Sequence, residues 1–143
     1  MRRLLLAATL AVVLVAPAAA AAATATVKVH KSRYGRILVD GQGRTLYLFT
    51  RDRGGKSRCY GACAQVWPPF LAGADATPQA AGGADAAKLG TAARRGGTTQ
   101  VTYAGHPLYY YVNDRKPGQI LCQDVAEFGG TWLVVTPAGR AVR

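Results

Sequence analysis

The feature that most constrains this chain is a repeat within it. Gly43-Arg44-Thr45-Leu46-Tyr47-Leu48-Phe49-Thr50-Arg51-Asp52 aligns with Gly105-His106-Pro107-Leu108-Tyr109-Tyr110-Tyr111-Val112-Asn113-Asp114. Gly, Leu, Tyr and Asp coincide, and Phe49 meets Tyr111. Val39 and Val101 each stand four residues before the glycine, and Val135 stands four before Gly139 as a partial third echo. A unit carried twice is expected to be built twice and packed as two related halves. Each copy reads as a β-hairpin whose second strand carries aromatic-x-aromatic-x-x-Asp. Residues two apart share one face of a strand, so Tyr47 lies beside Phe49, Tyr109 beside Tyr111, and Leu46 and Leu48 face the other way. Asp52 and Asp114 fall where the strand enters a loop, a place where a carboxylate accepts backbone N–H bonds and fixes a turn. An aromatic ladder with turn-stabilising carboxylates is therefore favoured over a ligand site made of tyrosine hydroxyls and carboxylates.

The remaining pattern fits the same class. Thr26–His30 and Gly35–Asp40 read as strands, Asp40–Gly43 as a turn, and Arg44–Arg51 as the strand closing a hairpin. Ala62–Val66 allows a helical turn. Strands are expected again at Thr99–Tyr103, Leu108–Val112, Trp132–Thr136 and Arg140–Arg143. Between the copies, 72–97 holds ten alanines and six glycines among its 26 residues, with Leu89 its only large apolar residue. It reads as a mobile connector, with a short helix at Asp85–Leu89 capped by Asp85. The expected fold is mainly β: a small antiparallel domain of two hairpin units plus a partial third, with one or two short helices. One domain over 24–143 holds repeats at about 35–71 and 98–143.

The first residues read as an address. Met1-Arg2-Arg3 is positive, Leu4–Val15 is apolar apart from Thr9, Pro17 breaks the run, and Ala18–Ala23 offers small residues for cleavage. The apolar run falls short of the ~20 residues that a membrane-spanning helix needs. Residues 1–23 are expected to be a signal peptide, sending the chain outside the cytoplasm, where disulfides persist. Without Arg2 and Arg3, sixteen basic side chains face seven acidic ones, a charge of +9.

Tyr47-x-Phe49-x-x-Asp52 and Tyr109-x-Tyr111-x-x-Asp114 both match Y-x-[FWY]-x-x-D. With Cys59-x-x-x-Cys63-x-x-x-Trp67-Pro68-Pro69 and Gly129-Gly130-Thr131-Trp132, the chain resembles the bacterial secreted repeat of unknown function proteins, also described as predicted lipoproteins. The resemblance spans roughly Gly35 to Gly139. It implies an envelope location and no settled activity. The chain departs from it twice: no cysteine lies near the cleavage region, so no lipid anchor is expected, and Cys122 is not part of the shared pattern.

Three cysteines cannot all pair within one chain. A local Cys59–Cys63 staple is favoured, leaving Cys122 unpaired or paired between molecules, although Cys122 is an alternative partner for either. Cys59, Cys63, Cys122 and His106 also make a candidate metal set of soft and borderline ligands. A redox role would draw on the lowered thiol pKa expected beside Arg51, Arg53, Lys56 and Arg58, but the spacing is not that of thiol oxidoreductases. No nucleophile elbow, phosphate loop or His-based metal motif is present. A hydrolase using Asp52 and Asp114 would require the repeats to bring the two carboxylates together.

Arg51, Arg53, Lys56 and Arg58 form the densest basic loop. Lys28, Lys31, Arg33 and Arg36 form an N-terminal cluster, and Arg94-Arg95 and Arg115-Lys116 are smaller. Such an excess attracts anions. Outside the cell those are anionic envelope polymers, membrane surfaces and acidic proteins; nucleic acid is not expected there. The sequence therefore reads as an exported cell-envelope protein, non-enzymatic and without a cofactor, acting as a binding or structural module. Envelope redox or metal handling is the alternative.

Overall fold

A computed structural model describes residues 24–74 and 76–143. The expected signal peptide, 1–23, lies outside the described residues. The described chain is mainly strand, arranged as antiparallel hairpins with one short helix and one 3-10 turn. In order these are β1 (Thr26–Ser32), β2 (Gly35–Asp40), β3 (Tyr47–Phe49), α1 (Ala62–Val66), β4 (Leu71–Ala72), β5 (Gln79–Ala80), a 3-10 turn (Ala86–Lys88), β6 (Leu89–Ala93), β7 (Thr99–Tyr103), β8 (His106–Pro107), β9 (Val125–Glu127) and β10 (Gly130–Val134). Three small sheets have strand orders β2-β1-β5, β3-β10-β9 and β4-β7-β6, with β8 paired to β7.

Period-two alternation sorts the interior into two cores. Leu46, Leu48, Leu108, Leu133 and Val135 enter a mostly aliphatic cluster with Val27, Leu38 and Val101. Their neighbours Tyr47, Phe49, Tyr109, Trp132 and Val134 point the other way, into an aromatic cluster with Trp67 and the two paired cysteines. The motif segments are thus buried on both faces, and Tyr47, Leu48 and Phe49 are each no more than 4% exposed.

Double burial changes the expected hairpins. The sequence pairs Gly35–Asp40 with Arg44–Arg51, but that ladder ends after the Val39–Thr45 bridge and the Leu46 N–H bond to Leu38. β3 then leaves to pair with β10, Tyr47 opposite Val134 and Phe49 opposite Trp132. The large rings of β3 go where the other rings are, and β2 pairs along its length with β1 instead. The second copy repeats the departure. Leu108 N–H bonds Val101, after which Tyr109 bridges to Tyr47 and to Pro69.

The Ala/Gly-rich segment is also more than a connector. Leu89–Ala93 forms β6, paired with all five residues of β7, and Gln79–Ala80 pairs in parallel with β1. Small residues serve this pairing: a Cβ at Gly90 would lie 2.9 Å from Thr102 Oγ1. Asp85 does cap the short helix, accepting from Ala87 N–H.

Candidate functional site

The two motif segments meet at their tyrosines. Tyr47 and Tyr109 exchange both backbone bonds, N–H to C=O, at 2.9 Å each. Their hydroxyls then cross over. Tyr47 donates to Asp114 at 2.6 Å, and Tyr109 donates to Asp52 at 2.8 Å. The other oxygen of each carboxylate takes a backbone amide from its own loop, Leu121 N–H for Asp114 and Arg58 N–H for Asp52. Each aspartate thus fixes its own turn while binding the tyrosine of the other repeat. Burial raises the pKa of both carboxyl groups, that of Asp52 to about 6 despite the stabilising bonds from Arg58 and Tyr109. The tyrosine hydroxyls are pushed up too, by burial first and then by the neighbouring carboxylates.

The rings follow the same exchange. Phe49, Trp132, Trp67 and Tyr111 form one pile, with centroids 4.1, 4.1 and 4.8 Å apart along it. Phe49 of the first repeat stacks on Trp132 of the second, and Tyr111 of the second lies against Trp67 of the first. Tyr47 and Tyr109 meet the tryptophan of their own repeat edge-on, at 5.3 and 5.0 Å. All six motif residues are therefore committed to joining the repeats. The carboxylates required by the hydrolase reading are both occupied in this way.

Three further acidic side chains are engaged. Asp40 accepts from Tyr110 at 2.9 Å and Glu127 from the Trp67 indole at 2.8 Å. Asp85 pairs with Lys88, the one ion pair within 4 Å among the described residues. Among the described residues Lys88 alone of the basic side chains forms an ion pair within 4 Å, so the outer surface carries an excess of positive charge.

The positive charge concentrates in an open groove of about 990 Å³. One wall is the expected basic loop, with Arg51, Arg53, Lys56 and Arg58. The opposite wall carries Arg94 and Arg95 after β6, and among the described residues no acidic side chain lines the groove. Arg94 is 8% exposed. Its guanidinium donates to Ser57 Oγ, Gln100 Oε1 and Cys59 C=O at 2.7–2.8 Å, none of them a carboxylate. Arg94 and Arg95 both lie over the Tyr60 ring, at 4.4 and 4.0 Å. Ser57 links the groove to the motif, since its Oγ lies 2.7 Å from the Tyr109 hydroxyl. The sequence shows the Arg94-Arg95 pair only as a minor cluster; its place opposite the basic loop follows from β6, which composition conceals.

Cys59 and Cys63 are disulfide-bonded, with Cα atoms 5.3 Å apart, and are 0% and 6% exposed. Neither is a thiolate, so the expected metal set loses two of its four ligands. Among the described residues no group of three or more His, Cys, Asp or Glu side chains could hold a metal ion. Cys122 is free and half-buried, and burial raises its thiol pKa, the opposite of an activated thiol. His106 sits at the start of β8 opposite Tyr103.

A family model described as secreted repeat of unknown function matches residues 28–70 and 90–136. The chain belongs to that family. The second match of the secreted repeat begins at β6, so the family unit includes the strand that builds the groove's far wall. No curated protein and no solved structure matches the chain. Among the described residues no helix is long and apolar enough to cross a membrane.

Proposed function

We propose that this secreted-repeat protein is a non-enzymatic module of the cell envelope that captures an anionic partner in the basic groove. The observation that carries the reading is Arg94, a nearly buried cation with no carboxylate within 4 Å among the described residues, in a groove whose described lining holds five other cations and no acid. The Asp52 carboxylate acts on it only at longer range, across Tyr109 and Ser57. Holding a guanidinium away from water costs free energy unless charge and hydrogen bonds compensate. An anion in the groove would add direct compensation to the distant Asp52 carboxylate. The other five cations steer such a partner inward. The aromatic interior supports a scaffold role, because its polar groups are spent on one another.

The test is retention of the processed protein on anionic envelope fractions across a salt gradient. Arg53→Glu with Lys56→Glu, in the groove, is compared with Arg115→Glu and Lys116→Glu outside it. The groove variant is expected to elute at distinctly lower salt than the equally charged control. Equal loss in both variants would reduce the effect to net charge and sink the groove reading.

A further inference from the structure

Resting on that groove reading, we propose that the groove's occupant is an extended acidic polypeptide that adds as a strand to the outer edge of β6. In the β6–β7 ladder Arg94 N–H bonds Thr98 and Ala104 N–H bonds Lys88. Antiparallel pairs alternate, so Gly90 and Ala92 share this phase and bond inward to β7. Thr91 and Ala93 then direct their N–H and C=O outward, about 6.8 Å apart along the strand. Among the described residues no strand pairs with that edge.

Thr91 to Ala93 line the basic groove itself. Small side chains on this stretch let a second backbone approach to pairing distance. The groove does not end with the cations. Leu89, Gly90 and Thr91 also border a hollow of about 500 Å³ that Ala76–Ala80 and Ala86 line as well, with no charged side chain among its described lining residues. One edge therefore runs from a neutral trough into a cationic one. A chain of matching pattern, neutral along one half and acidic along the other, is complementary to its whole length. A phosphodiester polymer would satisfy the arginines and the outward N–H groups. It offers no regularly spaced donor to the outward carbonyls, whereas a peptide backbone offers donor and acceptor at the same repeat.

The probe is a fluorescent peptide of alternating Thr and Val followed by four Glu, with its reverse-order twin so that both strand directions are sampled. Binding to the processed protein is read by anisotropy. Methylating alternate backbone nitrogens in one phase is expected to weaken binding at least tenfold, while the other phase leaves it unchanged. Thr91→Pro, which removes an outward N–H and spares the β7 ladder, is expected to weaken the peptide at least tenfold. The same variant should weaken poly(glycerol phosphate) of equal charge far less, because that polymer is held mainly by the arginine and lysine charges and loses a single amide contact. Poly(glycerol phosphate) binding as tightly as the peptide, or indifference to methylation phase, would overturn the strand-addition inference and leave the groove reading standing. Absence of salt-sensitive binding by either probe would overturn both.

Discussion

The hydroxyl of Tyr47 in the first repeat donates to the Asp114 carboxylate in the second, 2.6 Å away and 67 residues later in the chain. Tyr109 returns the bond to Asp52. Asp114 is 3% exposed, so water does not readily replace the lost donor. A hydrogen bond to a charged group contributes about 1.5–3 kcal/mol. Tyr47→Phe is therefore expected to lower unfolding free energy by about 2 kcal/mol in urea titrations. In a double-mutant cycle with Asp114→Asn the two losses should be strongly non-additive. Additive losses would mean that the pair does not tie the repeats together.

Asp52 gives the fold a pH dependence of definite sign. Its folded pKa is raised from 3.8 to about 6, chiefly by burial. Between those values the native state holds a proton that the unfolded chain has released, so stability falls as pH rises through the window. Asp114 is raised as well and acts in the same direction. Asp52→Asn should flatten the decline between about pH 4 and 6.5 when denaturation midpoints are compared with the parent. An unchanged slope would show that Asp52 titrates normally.

The motif faces are legible because period two is a local rule: Tyr47 beside Phe49, with Leu46 and Leu48 opposite, follows from the order of residues alone. The partner of each aspartate is not legible in the same way. Asp52 and Asp114 occupy equivalent positions, and the turn each one makes is local. The tyrosine each one receives depends on how the two copies meet. The strand β6 was hidden for a different reason: Leu-Gly-Thr-Ala-Ala has almost no polar alternation for a period to act on. With β6 unseen, Arg94 and Arg95 had no position relative to the basic loop, and the groove could not be inferred from either cluster.

The buried disulfide and the half-buried Cys122 make a countable prediction. Native protein without reductant should react slowly with a thiol reagent at one site. Denatured protein should expose one thiol without reductant and three with it. Because the bond closes a very short loop, Cys59→Ala with Cys63→Ala should cost about 2 kcal/mol, near the low end for native disulfides. Three native thiols would refute the pairing and reopen the metal set.

Gly130 is required by ring packing. It opens β10 opposite Glu127, and a Cβ there would lie 2.5 Å from Phe49 Cε2 and 3.1 Å from Arg51 Cβ. Phe49 cannot move aside cheaply, since it is stacked at 4.1 Å on Trp132, which is stacked in turn on Trp67. Gly130→Ala is thus an overpacking change, expected to cost about 1–3 kcal/mol and to lower the melting temperature. Phe49→Leu removes the obstructing ring edge, at the cost of its own stacking. In the Gly130→Ala background it should destabilise less than it does in the parent, because there it also relieves the clash. Equal destabilisation in the two backgrounds would mean that the glycine answers to some other contact than the ring pile.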